Sequence, residues 1–477
     1  MKRTALIVVL LCSTALAEVG PGASVEAKLN VLETWVQELM AYYHLPGVAV
    51  GIVRDQELVY ARGFGYAELA SRAPVTPQTL FRIASITKLF TATAIMQLRD
   101  AGKLALDDPL QKYLPWFAIP GCAPEWPPVT IRQLLTHTSG LPREAAFPYW
   151  TDHRFPSREQ IVATLPGQEM VYEPDTRWKY SNLGMALLGE VVAAASGEAY
   201  SKYIENHILQ PLRMHATRVE VAPTTPGLAT GYLRYMGGGR RQVAPFTDAQ
   251  GLVAAANMAT SIEDMARFCA LQFRYDDLSP AAVIKGSTLR EMHRVHWLRD
   301  DWQSGYGLGF SVRRVGGKTL VGHAGWIAGF RSQIVLAPEG KLATIVFINA
   351  DDFSPTTIAT KALELVWDIL GPAPSAGAPG EFDSTWVRFV GAYQDPTYWR
   401  TDVLLLDKRL FLYGFSYPPE DDPVEALVEL QPVAPFAFRR VSDGEKVIFE
   451  TDKKGAVTRV KVAENYLYPI KQSEAGK

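Results

Sequence analysis

The chain has 477 residues, of which 48% are hydrophobic and 21% charged. That length suggests two or three domains at roughly 100–200 residues each, and the apolar share argues against bulk disorder. Lys and Arg number 48 against 50 Asp and Glu, so the basic excess of a nucleic-acid binder is missing; three cysteines exclude a disulfide-built scaffold or a cysteine-rich zinc module.

Lys2 and Arg3 precede an apolar run, Ala5 to Leu11, far shorter than the ~20 residues that span a bilayer. Ala15-Leu16-Ala17 fits the small-x-small cleavage rule. Residues 1–17 therefore read as a signal peptide with Glu18 the first mature residue, and the protein is expected to be exported, periplasmic or secreted. Cys12 raises a lipoprotein reading, but Leu11 stands where a small residue is expected. No later segment reaches the length of a membrane span, so none is expected in the mature chain. Loss of the leader leaves Cys122 and Cys269, which an exported protein could pair. Cys269 lies in the apolar helical run Met265-Ala266-Arg267-Phe268-Cys269 and is more simply a buried thiol.

The apolar spacing predicts a helix over Val25 to Tyr43, then strands over Gly47–Val53 and Leu58–Tyr66 around a polar turn. A helix is expected from about Ser85 to Ala101, stopped by Gly102, and another over Ile131–Thr136 with Thr130 as N-cap. Leu183–Ala195 reads as an apolar helix ending at Gly197, and Thr260 with Glu263 has capping-box spacing for a helix through Leu271. Strands return at Lys318–Gly322, Gly329–Ala337 and Leu342–Asn349. Helices inserted between an N-terminal strand pair and a C-terminal strand set predict an antiparallel sheet whose chain ends meet, an α+β layout. Gly371 to Gly380 reads GPAPSAGAPG, a linker composition. Hence residues 18–370 form one domain, 371–382 a linker and 383–477 a second domain. The latter carries short strands at Val403–Leu406, Arg409–Phe415, Phe436–Arg440, Lys446–Glu450 and Val457–Val462, as in an antiparallel meander or barrel.

Several active-site patterns fail. No G-x-S-x-G elbow surrounds Ser139, Ser196, Ser311 or Ser416, which weakens an alpha/beta-hydrolase reading. Gly316-Gly317-Lys318-Thr319 lacks the first glycine of a P-loop, with Val312 in its place, and reads as a hairpin turn. His293 and His296 have no H-E-x-x-H context, and Gly63 with Gly65 has no third glycine, so neither a metal nor a dinucleotide is expected. Ser85-Ile86-Thr87-Lys88 survives. On a helix, positions i and i+3 share a face, so the hydroxyl and the amine meet. Serine needs a base, and a desolvated lysine supplies one. Tyr180-Ser181-Asn182 and His323-Ala324-Gly325 follow in order. Alone, each also fits a plain reading: a helix cap with a solvated lysine, a loop tyrosine before a cap, a histidine at a strand start.

Together these motifs resemble the serine β-lactamase and penicillin-binding-protein-like hydrolases. The branch most similar holds class C β-lactamases, D-alanyl-D-alanine carboxypeptidases, D-aminopeptidases and related esterases. Phe81-Arg82-Ile83-Ala84, Leu134 to Pro142 (LLTHTSGLP) and Glu263 to Phe268 extend the resemblance over roughly residues 26–368. It implies a β-lactamase/transpeptidase-like fold, with no cofactor and no metal. It also implies catalysis by Ser85, Lys88 and Tyr180, substrate binding by Asn182, His323 and Gly325, and an oxyanion hole from the backbone N–H groups of Ser85 and Trp326. Asn182 would orient Lys88 and the substrate amide. His137 looks structural, satisfied by backbone groups. The C-terminal segment resembles the small lipocalin-like barrels appended to some D-residue-specific peptidases of this family, as a stabilising or oligomerising cap or with a loop that rims the active site and restricts substrate size. His323 stands where class C β-lactamases usually carry a lysine. A neutral histidine at pH 7 gives no permanent cation for a substrate carboxylate, which disfavours efficient β-lactam hydrolysis. The expected activity is an acyl-enzyme hydrolase of a small-molecule ester or a D-residue peptide or amide. A carboxylesterase with incidental β-lactamase activity, a penicillin-binding scaffold with little turnover, and a Ser-His-Asp lipase are the alternatives. The oligomeric state is not legible.

Overall fold

The computed structural model describes residues 25–119, 125–238, 241–277, 279, 283–371, 383–406, 408–414 and 427–470. The expected leader, Cys122, residues 372–382 and Phe415 lie outside them. The chain divides into two compact units at Pro372/Ala373.

In the first unit the strands are β1 (Gly47–Arg54), β2 (Glu57–Glu68), β3 (Ala73–Pro74), β4 (Phe81–Arg82), β5 (Ala259–Thr260), β6 (Trp297–Leu298), β7 (Ser304–Tyr306), β8 (Ser311–Val315), β9 (Lys318–Ile327), β10 (Phe330–Ala337) and β11 (Leu342–Ile348). Nine form one sheet in the order β3-β2-β1-β11-β10-β9-β8-β7-β6, while β4 pairs with β5. β1 lies antiparallel to β11 with Val48 opposite Ile348 and Arg54 opposite Leu342. The two ends of the unit thus meet in mid-sheet and the helices are inserted between them, as the sequence order implies.

β1 and β11 are buried on both faces, which is why their sequences read as continuous apolar runs. Ala49, Val53, Ala343, Ile345 and Phe347 join the core of the helical insert. Val48, Val50, Ile52, Leu342, Val346 and Ile348 join a second core beneath the helices Val25–Tyr43 and Pro355–Leu370. The predicted helices at Val25–Tyr43 and Ile131–Thr136 stand at those bounds, and Thr130 caps the latter in a capping box with Gln133. The Leu183–Ala195 helix runs Asn182–Ser196 and ends on Gly197 in a left-handed conformation.

Three local expectations change. The expected Ser85–Ala101 helix begins with a 3-10 turn, Ala84–Ile86, and becomes α-helical only at Thr87–Asp100. The cap of helix Ile262–Leu271 is Ser261, whose side chain accepts from the Asp264 N–H; Thr260 lies in β5 and its hydroxyl pairs with that of Thr217. His323-Ala324-Gly325 does not start a strand but sits inside β9, which runs on past the expected end at Gly322. Cys269 is a buried thiol whose pKa burial pushes up.

The second unit is a closed barrel of eight strands: β12 (Gly391–Gln394), β13 (Arg400–Leu406), β14 (Arg409–Gly414), β15 (Leu427–Ala434), β16 (Ala437–Arg440), β17 (Lys446–Thr451), β18 (Val457–Val462) and β19 (Asn465–Pro469). Each strand pairs with its sequence neighbour, and β12 closes on β19. Inward alternation of Leu410, Leu412, Val447 and Phe449 builds a core around Phe389, which stacks on Phe449 at 4.3 Å. The sequence reading missed β12, β15 and β19. β15 contains Pro432, and its register slips between Pro432 and Ala434, so it lacks a clean strand signature.

Candidate active site

Ser85 lies in the 3-10 turn between β4 and helix Thr87–Asp100. Its neighbour Ala84 has φ 46, a left-handed conformation that an alanine adopts only under tertiary constraint. The constraint comes from packing on β9 and β10. The Ser332 hydroxyl donates to the Ile83 carbonyl at 2.9 Å, and a Cβ on Gly325 would stand 2.1 Å from that same carbonyl oxygen. Gly325 therefore acts by having no side chain: it lets β9 lie directly against the serine turn. Next to it, Trp326 is paired with Arg331 of β10. β8 pairs with β9 only as far as Gly322, so the His323–Ile327 stretch carries no described strand on that side.

Two polar groups converge on Ser85 Oγ. Lys88 Nζ donates to it at 2.9 Å and Tyr180 Oη donates at 2.9 Å. Lys88 Nζ also donates to the Ala255 carbonyl at 2.8 Å. The lysine is fully buried, and desolvation holds its pKa well below the usual 10.5; Glu144 opposes that shift and Arg143 adds to it. Burial pushes the Tyr180 phenol the other way, upward, against the Ser85 hydrogen bond and the Arg143 charge. The pair is thus an amine that gives up its proton readily and a phenol that keeps its own.

Asn182 opens the helix Asn182–Ser196 and is brought beside the trio, but its amide makes no hydrogen bond to Lys88. Its Nδ2 donates to both oxygens of Glu144, at 2.9 and 3.0 Å, and its buried Oδ1 has no partner. His323 is also there and buried. Its Nδ1 lies 2.6 Å from the Ala324 carbonyl, which can only accept, so Nδ1 carries the proton and Nε2 faces the Tyr306 hydroxyl at 3.0 Å. Burial, then the Lys88 charge, push its pKa down to about 3. It is a neutral imidazole engaged with the protein and supplies no cation. His137 accepts the Ser181 N–H on Nδ1 at 3.2 Å, while its Nε2 is buried without a partner; backbone groups satisfy it by half.

The sequence reading missed the rim. Glu144 holds Asn182 and also accepts from the Tyr149 hydroxyl. Trp150 follows Tyr149 and stacks on Trp326 at 5.2 Å and 24°. Trp326 Nε1 donates to Asp351 at 2.8 Å, so this side chain, which the family pattern leaves without a role, forms a wall. Glu144 carried a usable signal, an acid directly after the LLTHTSGLP segment and Arg143. Trp150 and Tyr306 carried none, because only folding sets them against Trp326 and His323.

The family model described as Beta-lactamase matches residues 32–366. The chain belongs to that family. It is 27% identical over 321 residues to Protein flp of Staphylococcus aureus (strain MW2), covering 67% of this chain and 62% of the relative. Penicillin-binding protein 4* of Bacillus subtilis (strain 168) is 34% identical over 196 residues, 40% of this chain and 42% of the relative. The chain thus spans less than two thirds of the curated relatives' length. Among solved structures, the octameric penicillin-binding protein homologue from Pyrococcus abyssi superposes with TM-score 0.63 at 25% identity, over 92% of this chain and 99% of the other. A D-stereospecific amidohydrolase from Streptomyces sp. gives TM-score 0.58 at 26% identity, over 70% and 97%. The fold is that of β-lactamases and transpeptidases, with the barrel added, and the family and these neighbours support hydrolase chemistry.

Proposed function

We propose that the protein is an exported serine hydrolase that cleaves an amide or small ester through an acyl-enzyme on Ser85. The observation that carries this reading is the convergence of Lys88 Nζ and Tyr180 Oη on Ser85 Oγ, each at 2.9 Å. Lys88, neutral because it is desolvated, takes the serine proton as Oγ adds to the carbonyl carbon. The backbone N–H groups of Ser85 and Trp326 receive the developing oxyanion, Ser85 from the turn that leads into a helix N-terminus. Tyr180, protonated in the resting site, passes its proton to the leaving nitrogen or oxygen and regains one from Lys88, which returns to the neutral amine. The same groups, run in reverse, activate water against the acyl-enzyme.

His323 is neutral and internally bonded, so a substrate carboxylate has no counter-ion there; this favours amides and esters over β-lactams. Likeness to a D-stereospecific amidohydrolase supports D-residue amides as the leading substrate class. The test uses residues 18–477 and a Ser85→Ala variant with a fluorescent penicillin, a short-chain nitrophenyl ester and a D-alanyl nitroanilide, following intact mass. The expected result is an adduct on the wild type only, with turnover of anilide or ester exceeding that of penicillin. Equal activity in both proteins overturns the reading. Export is checked by sequencing the N-terminus of the protein recovered outside the cytoplasm, where Glu18 is expected first.

A further inference from the structure

Tyr180 lies in neither a helix nor a strand, so no regular ladder sets the place of its phenol. The segment before it is laced instead to the residues that follow helix Ile131–Thr136. The Val171 N–H donates to the Gly140 carbonyl, the Asp175 N–H to the Thr138 carbonyl and the Lys179 N–H to the His137 carbonyl, each at 2.8 Å. A side chain makes one more rung: His137 Nδ1 accepts the Ser181 N–H at 3.2 Å. His137 thus grips the chain one residue before Tyr180 and one residue after it.

The backbone of His137 is bent at the same place. It ends the helix in a left-handed conformation, φ 60 and ψ 36, which a residue with a side chain adopts at a cost. In that conformation its carbonyl and its imidazole reach the same segment. The ring is fully buried and lies 4.5 Å from the Tyr180 ring and 4.9 Å from the Tyr306 ring. Burial first, and the Lys88 charge next, hold its pKa well below 6.5, so the imidazole is neutral. With Nδ1 accepting, the ring proton is on Nε2, and Nε2 is buried without a partner among the described residues. An orphaned buried donor costs free energy. Leucine would fill the same space without that cost, but it would leave the Ser181 N–H unpaired.

We propose that His137 is the positioning residue for Tyr180, holding Lys179 and Ser181 so that the phenol meets Ser85 Oγ and the leaving group. This rests on the acyl-enzyme reading of Ser85. The step served is the one in which the C–N or C–O bond breaks, the Tyr180 proton goes to the leaving atom and Lys88 returns a proton to Tyr180. Attack by Ser85 depends less on His137, because Ser85 and Lys88 stand together on the turn Ala84–Ile86 and the helix Thr87–Asp100 and keep their own 2.9 Å contact.

The experiment compares kcat/KM for a nitroanilide and a nitrophenyl ester that share the D-alanyl group. Both values report acylation up to release of the leaving group. Nitrophenolate leaves without a proton, whereas the anilide nitrogen must receive one. His137→Leu keeps the bulk and removes the acceptor. It should lower the anilide value about 10- to 100-fold and the ester value far less, so the anilide-to-ester ratio falls. His137→Asn puts an acceptor where Nδ1 stands and tolerates the left-handed backbone; it should keep the wild-type ratio. A fluorophosphonate, which reacts with Ser85 without a proton from Tyr180, counts the active sites in each protein. Equal falls on both substrates in His137→Leu overturn the inference, as does a ratio in His137→Asn as low as in His137→Leu. Should His137→Leu not fold, His137→Gln, whose acceptor lies one bond further out, takes its place: a lowered ratio supports the inference and an unchanged one overturns it. A wild type that is labelled but cleaves no anilide also overturns it, since no proton is then delivered. If the fluorophosphonate labels wild type and not Ser85→Ala, only the role of His137 is at stake; no labelling removes the serine reading beneath it.

Discussion

The hydrolase unit and the barrel solve the same packing problem with different materials. Among the described residues, the barrel core is wholly apolar, built on Phe389, Phe438 and Phe449. The helical insert instead buries Arg82, Lys88, His137, Asn182 and Asp264. Arg82 spans to the Thr247 carbonyl at 2.8 Å and Asn257 Oδ1 at 3.0 Å, tying the serine turn to the loop that leads to Ala255, and burial pushes its pKa down to about 10. Buried polar groups cost free energy unless fully paired. A fold that keeps so many on one side of its sheet has spent stability on position, and the side where it has done so is the side of Ser85.

The sharpest break in this comparison is Lys88→Met. If the buried amine serves chemistry, its removal costs about 10³-fold or more in kcat. The same change should leave the thermal midpoint level or higher, since an apolar side chain of similar length replaces a desolvated amine. A midpoint several degrees lower would show that Lys88 is a structural strut. Phe449→Ala reverses the pattern. It removes a stacked ring from an apolar core and should destabilise the barrel by about 3–5 kcal/mol, read as a lower denaturant midpoint; a loss below ~1 kcal/mol would mean that the barrel core tolerates a hole. A third contrast is in pH. The activity needs Lys88 without its proton, so kcat/KM should rise with pH and level off well below 10.5, because burial lowers that pKa. Tyr180, whose pKa burial raises, should impose no loss before strongly alkaline pH. An activity rise only near 10.5 would mean that Lys88 is hydrated.

How far the sequence could be read follows the same division. The trio Ser85, Lys88 and Tyr180 was legible because its motifs sit in short segments with fixed spacing. β1 and β11 were legible as apolar runs, and their pairing followed from the helical insert between them. The serine turn was not, because the 3-10 geometry at Ala84 is imposed by Gly325 of β9 and Ser332 of β10, more than 200 residues later in the chain. The partner of Asn182 was not legible either. Its amide could have faced Lys88 or Glu144, and only the folded position of the Arg143 and Glu144 segment over the helix N-terminus decides. In the barrel, alternation was readable where strands are regular and failed at β15, where Pro432 interrupts the ladder.

The smallest expected effect lies on the rim of the site, at the stacked pair Trp150 and Trp326. Trp326 is pinned: Asp351 accepts its Nε1–H at 2.8 Å and also accepts the Gly329 N–H at 3.0 Å. Trp150 is held by apolar contact, stacked on Trp326 at 5.2 Å, edge-on to Phe155 at 5.2 Å and packed against the core of the helical insert. Trp150→Ala should therefore leave Trp326 and the Ser85 turn in place and remove one aromatic face from the rim. A stacked pair is worth about 0.5–1.5 kcal/mol. The KM for a phenylalanyl anilide should rise about 2- to 10-fold, with kcat kept and the KM for an alanyl anilide unchanged. Equal losses on both substrates would move Trp150 from the rim to the scaffold, and the contrast between a pinned and an unpinned tryptophan would lose its meaning for substrate choice.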